Sequence, residues 1–128
     1  MFQPLILRES SIPEVLILVR LGSNTLTETH LSRACEECYG QWGIWGFSVF
    51  EVPRGDYSQL ARLRPLIAER RMFWQANGND LIGAGFPILP TLDFPHWTVV
   101  VSEPTSSQFD KVRRIFTGPI ENPVWSRH

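Results

Sequence analysis

Apolar and polar positions divide the chain into segments with the period of a strand and segments with the period of a helix. Residues 13–21 are apolar nearly throughout and end at Gly22, which is the pattern of a strand buried on both faces. Residues 44–52 are rich in aromatic and β-branched side chains and end at Pro53. We therefore expect the first two strands over these two runs.

The segment between these strands predicts a helix. Residues 25–28 read Thr-Leu-Thr-Glu and match the Ser/Thr-x-x-Glu capping box, and apolar positions recur after them at helical spacing. Gly40 and Gly43 are typical of a helix end. The first helix is therefore expected from about residue 26 to residue 39.

Two further helices are predicted later in the chain. Asp56 is placed to cap the second helix, with Gln59 at the reciprocal position. Pro65 is expected to split or kink this helix, because proline lacks a backbone donor and clashes with the preceding turn. The third helix is expected to start within residues 103–107. The apolar faces consist of Leu60, Leu63, Leu66, Ile67 and Met72 in the second helix and of Phe109, Val112, Ile115 and Phe116 in the third.

The rest of the chain predicts two strands and an extended tail. Residues 81–91 contain two glycines and two prolines, which suits an irregular or edge strand. Residues 95–101 form a β-branched run, and residues 117–128 contain two prolines and are expected to be extended. The order β-α-β-α-β-β-α predicts a single globular α+β domain over residues 1–128. We expect a mixed sheet of about four strands with about three helices on one face.

Composition limits the classes of function. The 128 residues, 43% of them hydrophobic, suit one domain with a sizeable core. The net charge is −1 and the pI is about 6.3, so no global positive field attracts nucleic acid or a membrane. Because the N-terminal residues lack a secretion signal, we expect a cytoplasmic protein without a membrane span. Binding of RNA then needs a local basic patch, for which the candidates are Arg54, Arg62, Arg64, Arg70, Arg71, Arg113 and Arg114.

The sequence Cys35-Glu36-Glu37-Cys38 raises the question of metal binding or thiol chemistry, with His30 shortly before it. A zinc site needs a fourth ligand, and strong zinc signatures pair two such motifs, whereas this chain has one. Redox-active cysteine pairs lie at a helix N-terminus, whereas this pair is expected near a helix end. We therefore expect two ordinary helical thiols, no metal and no cofactor.

The pattern His96-Trp97-Thr98 opens the predicted strand over residues 95–101. Alternate residues of a strand share a face, so the imidazole and the hydroxyl are expected side by side. The ordinary pKa of histidine lies closest to neutral, which suits His96 to acid–base chemistry. The structural alternative is a histidine at a strand start that is bonded to a carbonyl.

With Val99, this motif resembles one half of the site of the 2H phosphoesterases. The resemblance covers residues 88–116 and implies a histidine acid or base beside a hydroxyl that holds the phosphate of an RNA end or a cyclic nucleotide. That family carries two such motifs on facing strands. The one candidate for the second, His30-Leu31-Ser32, lies in the predicted first helix. Arg20 is an alternative electrophilic partner for His96.

Arg20 ends the first predicted strand, a position similar to that of the substrate-binding arginine in ADP-ribosyltransferase folds. That resemblance implies a polar strand residue, for which Ser48 and Glu51 are candidates, and a late catalytic glutamate, for which Glu103 or Glu121 would serve. A buried Arg20 paired with Glu51 accounts for the same residues structurally.

Residues 45–49, 83–91, 95–98 and 118–123 together resemble small uncharacterised bacterial proteins, some of which are suspected toxins of toxin–antitoxin modules. The resemblance implies an activity directed at RNA and an antitoxin or other protein as partner. It names no reaction, which therefore has to come from the candidate residues.

We expect a small phosphoesterase or ribonuclease-like protein that acts on RNA or a nucleotide. His96 is the predicted general acid or base, Thr98 and Arg20 are the predicted phosphate contacts, and His30 is a candidate second proton carrier. The alternative is a non-enzymatic protein–protein interaction domain. It would use exposed aromatic residues near Trp42 and Trp45, or the C-terminal tail with Trp125.

Overall fold

A computed structural model describes residues 1–125 and contains one six-stranded sheet with four α-helices. The strands are β1 (Ile17–Leu21), β2 (Gly46–Glu51), β3 (Met72–Asn77), β4 (Ile88–Leu89), β5 (His96–Val100) and β6 (Thr117–Glu121). The helices are α1 (Glu28–Trp42), α2 (Tyr57–Leu63), α3 (Gly78–Gly83) and α4 (Ser106–Arg113), with short 3₁₀ helices at Pro53–Gly55 and Pro65–Glu69. The order across the sheet is β4-β5-β2-β1-β3-β6. The expected α+β class is confirmed.

The sheet differs from the sequence expectation in size and in direction. It has six strands instead of about four, and every neighbouring pair is antiparallel, so a mixed sheet is wrong. The two unpredicted strands, β3 and β6, pair with each other through Phe73 and Ile120. Met72 continues the apolar spacing of the second helix and so conceals the start of β3. Gly118 and Pro119 give β6 the composition of a loop, although proline is tolerated on an edge strand.

The helix boundaries follow from local capping. Thr27 caps α1 by accepting a hydrogen bond from the backbone N–H of His30, so the helix starts two residues later than predicted. Gly43 ends α1 in the left-handed conformation with φ 75°, where glycine has no steric penalty. Asp56 Oδ1 accepts from the backbone N–H of Gln59, which confirms the predicted cap of α2. The split at Pro65 is also confirmed, since a separate 3₁₀ helix begins there.

Both faces of the sheet are covered. On one face, Leu18 and Trp97 belong to a core cluster that includes residues of α1, α3 and α4. On the other face, Val19 packs with Leu60 of α2 and Ile67 of the second 3₁₀ helix. The expectation of helices on one face only is therefore wrong, and so is the count of about three, because α3 is not evident in the sequence.

Residues 126–128 lie outside the described part of the chain, so the predicted extended tail is described only as far as Trp125. Part of that tail, residues 117–121, forms β6. Within residues 1–125, none of the helices combines the length and the apolar character needed to cross a membrane.

Candidate functional site

A cavity of about 300 Å³ lies where β1, β2 and β5 approach α1. Three of the four predicted site residues line it, namely Arg20, His96 and Thr98. The other lining residues are Ala34, Glu37, Cys38, Gln41, Trp42, Gly46, Phe47, Ser48 and Leu92. The cavity therefore joins side chains that are widely separated in the sequence.

Antiparallel pairing of β2 with β5 brings the polar side chains together. Ser48 pairs with Thr98, and Phe50 pairs with His96, so these four residues share one face of the sheet. The alternate residues of the same strands, such as Phe47, face the core on the other side. A short polar strip thus runs along two strands that are otherwise apolar.

The imidazole of His96 is buried and bonded at both nitrogens. Its Nε2 lies 2.9 Å from the hydroxyl of Ser48, which is exposed. Its Nδ1 lies 2.9 Å from Oγ1 and 3.2 Å from the carbonyl oxygen of Thr91. A carbonyl can only accept, so the contact with the Thr91 carbonyl is a hydrogen bond in the tautomer that carries the proton on Nδ1. In that tautomer the lone pair is on Nε2, which accepts from the Ser48 hydroxyl.

The surroundings of His96 favour the neutral imidazole. Burial lowers its pKa below the ordinary value of 6.5, and the positive charges of Arg64 and Arg8 lower it further. The hydrogen bond to the Thr91 carbonyl acts in the opposite direction. At neutral pH the ring is therefore a potential proton acceptor.

Thr98 contacts Thr91, the residue that is bonded to His96. Its hydroxyl lies 2.7 Å from Oγ1 of Thr91, and both threonines are buried. Its methyl group lies close to Gly46, where an added Cβ would stand 2.7 Å from Thr98 Cγ2. The hydroxyl predicted to contact phosphate is therefore bonded to Thr91, the residue that orients His96.

Arg20 supplies a positive charge where the pairing of β1 with β2 ends. Its Nε donates to the carbonyl of Thr25 and its Nη1 to the carbonyl of Ser48, each at 2.8 Å. Burial lowers its pKa to about 10, so it remains cationic at neutral pH. The alternative pairing with Glu51 is wrong, because Glu51 instead accepts from the indole of Trp97 at 2.9 Å. Within residues 1–125 no carboxylate forms an ion pair with Arg20.

His30 is not brought to the cavity. It lies in the first turn of α1, is exposed, and its Nδ1 is 2.7 Å from Oγ1 of Thr27. The sequence His30-Leu31-Ser32 is helical, as expected, so it does not supply a second motif on a facing strand. Within residues 1–125, His96 is the one histidine that lines the cavity.

Two residues of the site, Ser48 and Thr91, were not among the site residues predicted from the sequence. Ser48 enters only through the resemblance to ADP-ribosyltransferases, and Thr91 is not singled out at all. The pattern holds one usable signal, since Ser48 is a polar residue within an aromatic and β-branched strand. Thr91 lies after β4, and only the tertiary fold returns it to His96.

The cysteines behave as packing residues. Both are free and lie in the middle of α1, Cys35 buried and Cys38 at the cavity wall. Burial raises the pKa of Cys35 to about 11, so its thiol is protonated at neutral pH. In the described residues, no three His, Cys, Asp or Glu side chains come together as potential metal ligands.

Comparison with known proteins adds no assignment to this geometry. The chain matches no protein-family model, no curated protein and no solved structure at a significant level. The geometry of the cavity therefore carries the functional argument.

Proposed function

We propose that the chain is a small phosphoesterase or ribonuclease-like enzyme that acts on RNA or a nucleotide without a metal ion. The observation that carries this proposal is one cavity lined by His96, oriented and neutral, and by Arg20, a cation that forms no ion pair with a carboxylate within residues 1–125. A partly buried charge that forms no ion pair is costly, and an anionic phosphate would compensate it.

The proposed roles follow from these contacts. The guanidinium of Arg20 binds the phosphate and stabilises the negative charge that develops in the transition state. Nε2 of His96 takes a proton from the attacking hydroxyl and returns it to the leaving oxygen. Thr91 and Thr98 hold the imidazole in place.

Three arginines near the site, Arg20, Arg64 and Arg8, favour an anionic substrate, although Glu37 also lines the cavity. Arg64 and Arg8 both act electrostatically on His96. The guanidinium of Arg64 lies 5.8 Å above the ring of Phe50, and that ring meets His96 edge-on at 5.6 Å. A cation and an aromatic ring beside the imidazole suit a substrate that has both a phosphate and a base.

The proposal is tested by incubating the pure protein with a mixed pool of RNAs and cyclic nucleotides in the presence of a chelator. We expect cleavage by the parent protein and a loss of about a hundredfold or more in His96→Ala, as for a lost acid–base group. Each variant is checked for folding by circular dichroism. Absence of cleavage, or equal cleavage by His96→Ala, would overturn the proposal.

The alternative function in protein binding would use exposed aromatic residues near Trp42 and Trp45, or the tail with Trp125. Trp42 lines the cavity, and Trp45 is partly buried with its ring stacked on Tyr39 at 4.0 Å. Trp125 is also partly buried, below the guanidinium of Arg71. Tyr39 is exposed, whereas the three tryptophans have contacts within the chain, and protein binding stays a prediction. A role as a toxin remains a prediction.

A further inference from the structure

We propose that Ser48 is the nucleophile of this site, and that the enzyme works through a covalent phosphoserine formed on the Ser48 hydroxyl. The inference rests on the proposed function and goes beyond it, since it defines the substrates as phosphodiesters with or without a 2′-hydroxyl. It is carried by the arrangement of Ser48, His96, Thr91 and Arg20 around the cavity.

The first observation is the hydrogen bond between nucleophile and base. Ser48 Oγ lies 2.9 Å from His96 Nε2, which is within the range expected of an activated serine. Ser48 is exposed, whereas His96 is only 6% exposed. The hydroxyl is therefore open to a substrate, while the base that activates it is shielded from water.

The second observation is that a third group orients the base. The carbonyl and hydroxyl of Thr91 both lie within hydrogen-bond distance of His96 Nδ1, and the hydroxyl is tied in turn to Thr98. These bonds direct the lone pair of Nε2 towards Ser48. Nucleophile, base and orienting group are the three parts of the serine–histidine arrangements used for covalent catalysis.

The third observation is a cation in the wall of the same cavity as the nucleophile. Arg20 Nη1 donates to the backbone carbonyl of Ser48, and its guanidinium lies 5.2 Å above the ring of Phe47. Attack of a hydroxyl on phosphorus places extra negative charge on the phosphoryl oxygens. A guanidinium held in the cavity wall by two backbone carbonyls is available to stabilise this charge.

The proposed reaction uses Ser48, His96 and one water molecule. Ser48 Oγ forms a bond to phosphorus as the ester P–O bond to the leaving alcohol breaks. His96 takes the serine proton and gives it to the leaving oxygen. Water then attacks the phosphoserine, His96 takes its proton, and the proton returns to Ser48 as the P–Oγ bond breaks.

This chemistry has a consequence for the substrate. A ribonuclease that uses the 2′-hydroxyl of RNA as nucleophile cannot cleave a strand in which that group is methylated. A serine nucleophile does not need the 2′-hydroxyl. We therefore expect cleavage of RNA, of the same strand with 2′-O-methyl groups, and of bis(p-nitrophenyl) phosphate.

The test uses an alkyl fluorophosphonate, which transfers its phosphonyl group to an activated serine with loss of fluoride. The full chain is treated, digested and mapped by mass spectrometry in the parent, Ser48→Ala, His96→Gln and Ser102→Ala. Ser102 is an exposed serine outside the cavity lining and serves as the matched control. We expect one adduct on the Ser48 peptide, made about a hundredfold more slowly in His96→Gln and unchanged in Ser102→Ala.

An adduct absent from Ser48, or formed equally fast in His96→Gln, would overturn the inference. Because His96 is buried, folding of His96→Gln is confirmed by thermal unfolding. Ser48→Ala changes an exposed residue and gives an independent check. Loss of diester cleavage in Ser48→Ala supports the inference, and cleavage at the parent rate overturns it.

Failure of the inference and failure of the proposed function are distinguishable. Cleavage of RNA but not of its 2′-O-methyl counterpart removes Ser48 as nucleophile and leaves the phosphoesterase proposal standing. Labelling of Ser48 that requires His96, without cleavage of any phosphodiester, keeps the activated serine and overturns the proposed substrate class.

Discussion

The imidazole of His96 bonds to the hydroxyl of Ser48 across two adjacent antiparallel strands, with Nε2 and Oγ 2.9 Å apart. Neither residue is paired directly with the other, since Ser48 lies opposite Thr98 and His96 lies opposite Phe50. The contact is a diagonal one between side chains on the same face. It places a base and a hydroxyl at the wall of a cavity that also contains Arg20.

The activity is expected to depend on a histidine that titrates below its usual range. Burial lowers the pKa of His96 from 6.5, and the two charged groups that lower it further are Arg64 and Arg8. Since the base must be neutral, kcat/KM should rise with pH and level off with a midpoint below 6.5. A pH profile of kcat/KM with an acid limb at or above that value would contradict this.

The same shift predicts how stability depends on pH. A histidine with a lowered pKa binds its proton more readily in the unfolded chain, so acid favours unfolding. The free energy of unfolding should fall as the pH drops below 6.5, down to the lowered pKa of folded His96. Urea unfolding across this range measures it, and His96→Gln should have a shallower slope. Equal slopes in parent and variant would contradict this assignment.

Arg20 is expected to bind the anion. Arg20→Met removes the cation and should weaken the binding of inorganic phosphate or a nucleotide by about 10-fold to 100-fold, as expected for about 1.5–3 kcal/mol from a charged hydrogen bond. Arg62→Met, which changes an exposed arginine outside the cavity lining, is the matched control. Isothermal titration calorimetry gives the dissociation constants. Equal affinity in both variants would show that the anion binds elsewhere.

Gly46 is expected to tolerate no side chain. An added Cβ would lie 2.7 Å from Thr98 Cγ2 and 2.8 Å from the backbone oxygen of Val99. Gly46→Ala should lower the free energy of unfolding by about 1–3 kcal/mol, as overpacking does. Gly40→Ala is the matched control, because nothing lies within 4 Å of the added atom and α1 gains a better helix former. It should raise stability by about 0.4–1 kcal/mol. Chemical denaturation of both variants tests the pair, and similar effects would contradict the prediction.

Arg8 is expected to hold the loop that carries Thr91. Its Nη1 donates to the carbonyls of Thr91 and His96, and its guanidinium lies 5.1 Å above the ring of Trp97. Arg8→Met should make amide hydrogen exchange over residues 90–96 about tenfold faster, which corresponds to about 1.4 kcal/mol of local stability. Arg54→Met, an exposed residue, is the control. Unchanged exchange in this loop would show that the N-terminal segment does not support the site.

Hydrophobic periodicity and turn residues predict those elements whose pattern is visible in their own stretch of sequence. The cap at Asp56, the break at Pro65 and the strand that begins with His96 are confirmed. The edge strand predicted over residues 81–91 is present only as β4 at residues 88–89, and residues 81–83 lie in α3 instead. Strand β3 was not predicted, because the apolar residues before it continue a helical spacing. Strand β6 was not predicted, because its glycine and proline are typical of a loop. It forms a strand through its pairing with β3.

Only part of the candidate site was predictable from local sequence patterns. His96 and Thr98 are neighbours on one strand, so the period of a strand places them together. Ser48 and Arg20 reach them only through the strand order β5-β2-β1, which no local pattern encodes. Thr91 returns to His96 through the connection between β4 and β5.

The most direct test of the account compares the two described histidines. The rate of cleavage of one defined RNA is measured in the parent, in His96→Gln and in His30→Ala, each shown to be folded. His96 lines the cavity and His30 does not. We predict a loss of about a hundredfold or more in His96→Gln and a rate close to that of the parent in His30→Ala. A larger loss in His30→Ala, or no loss in His96→Gln, would contradict the assignment of this cavity as the site of reaction.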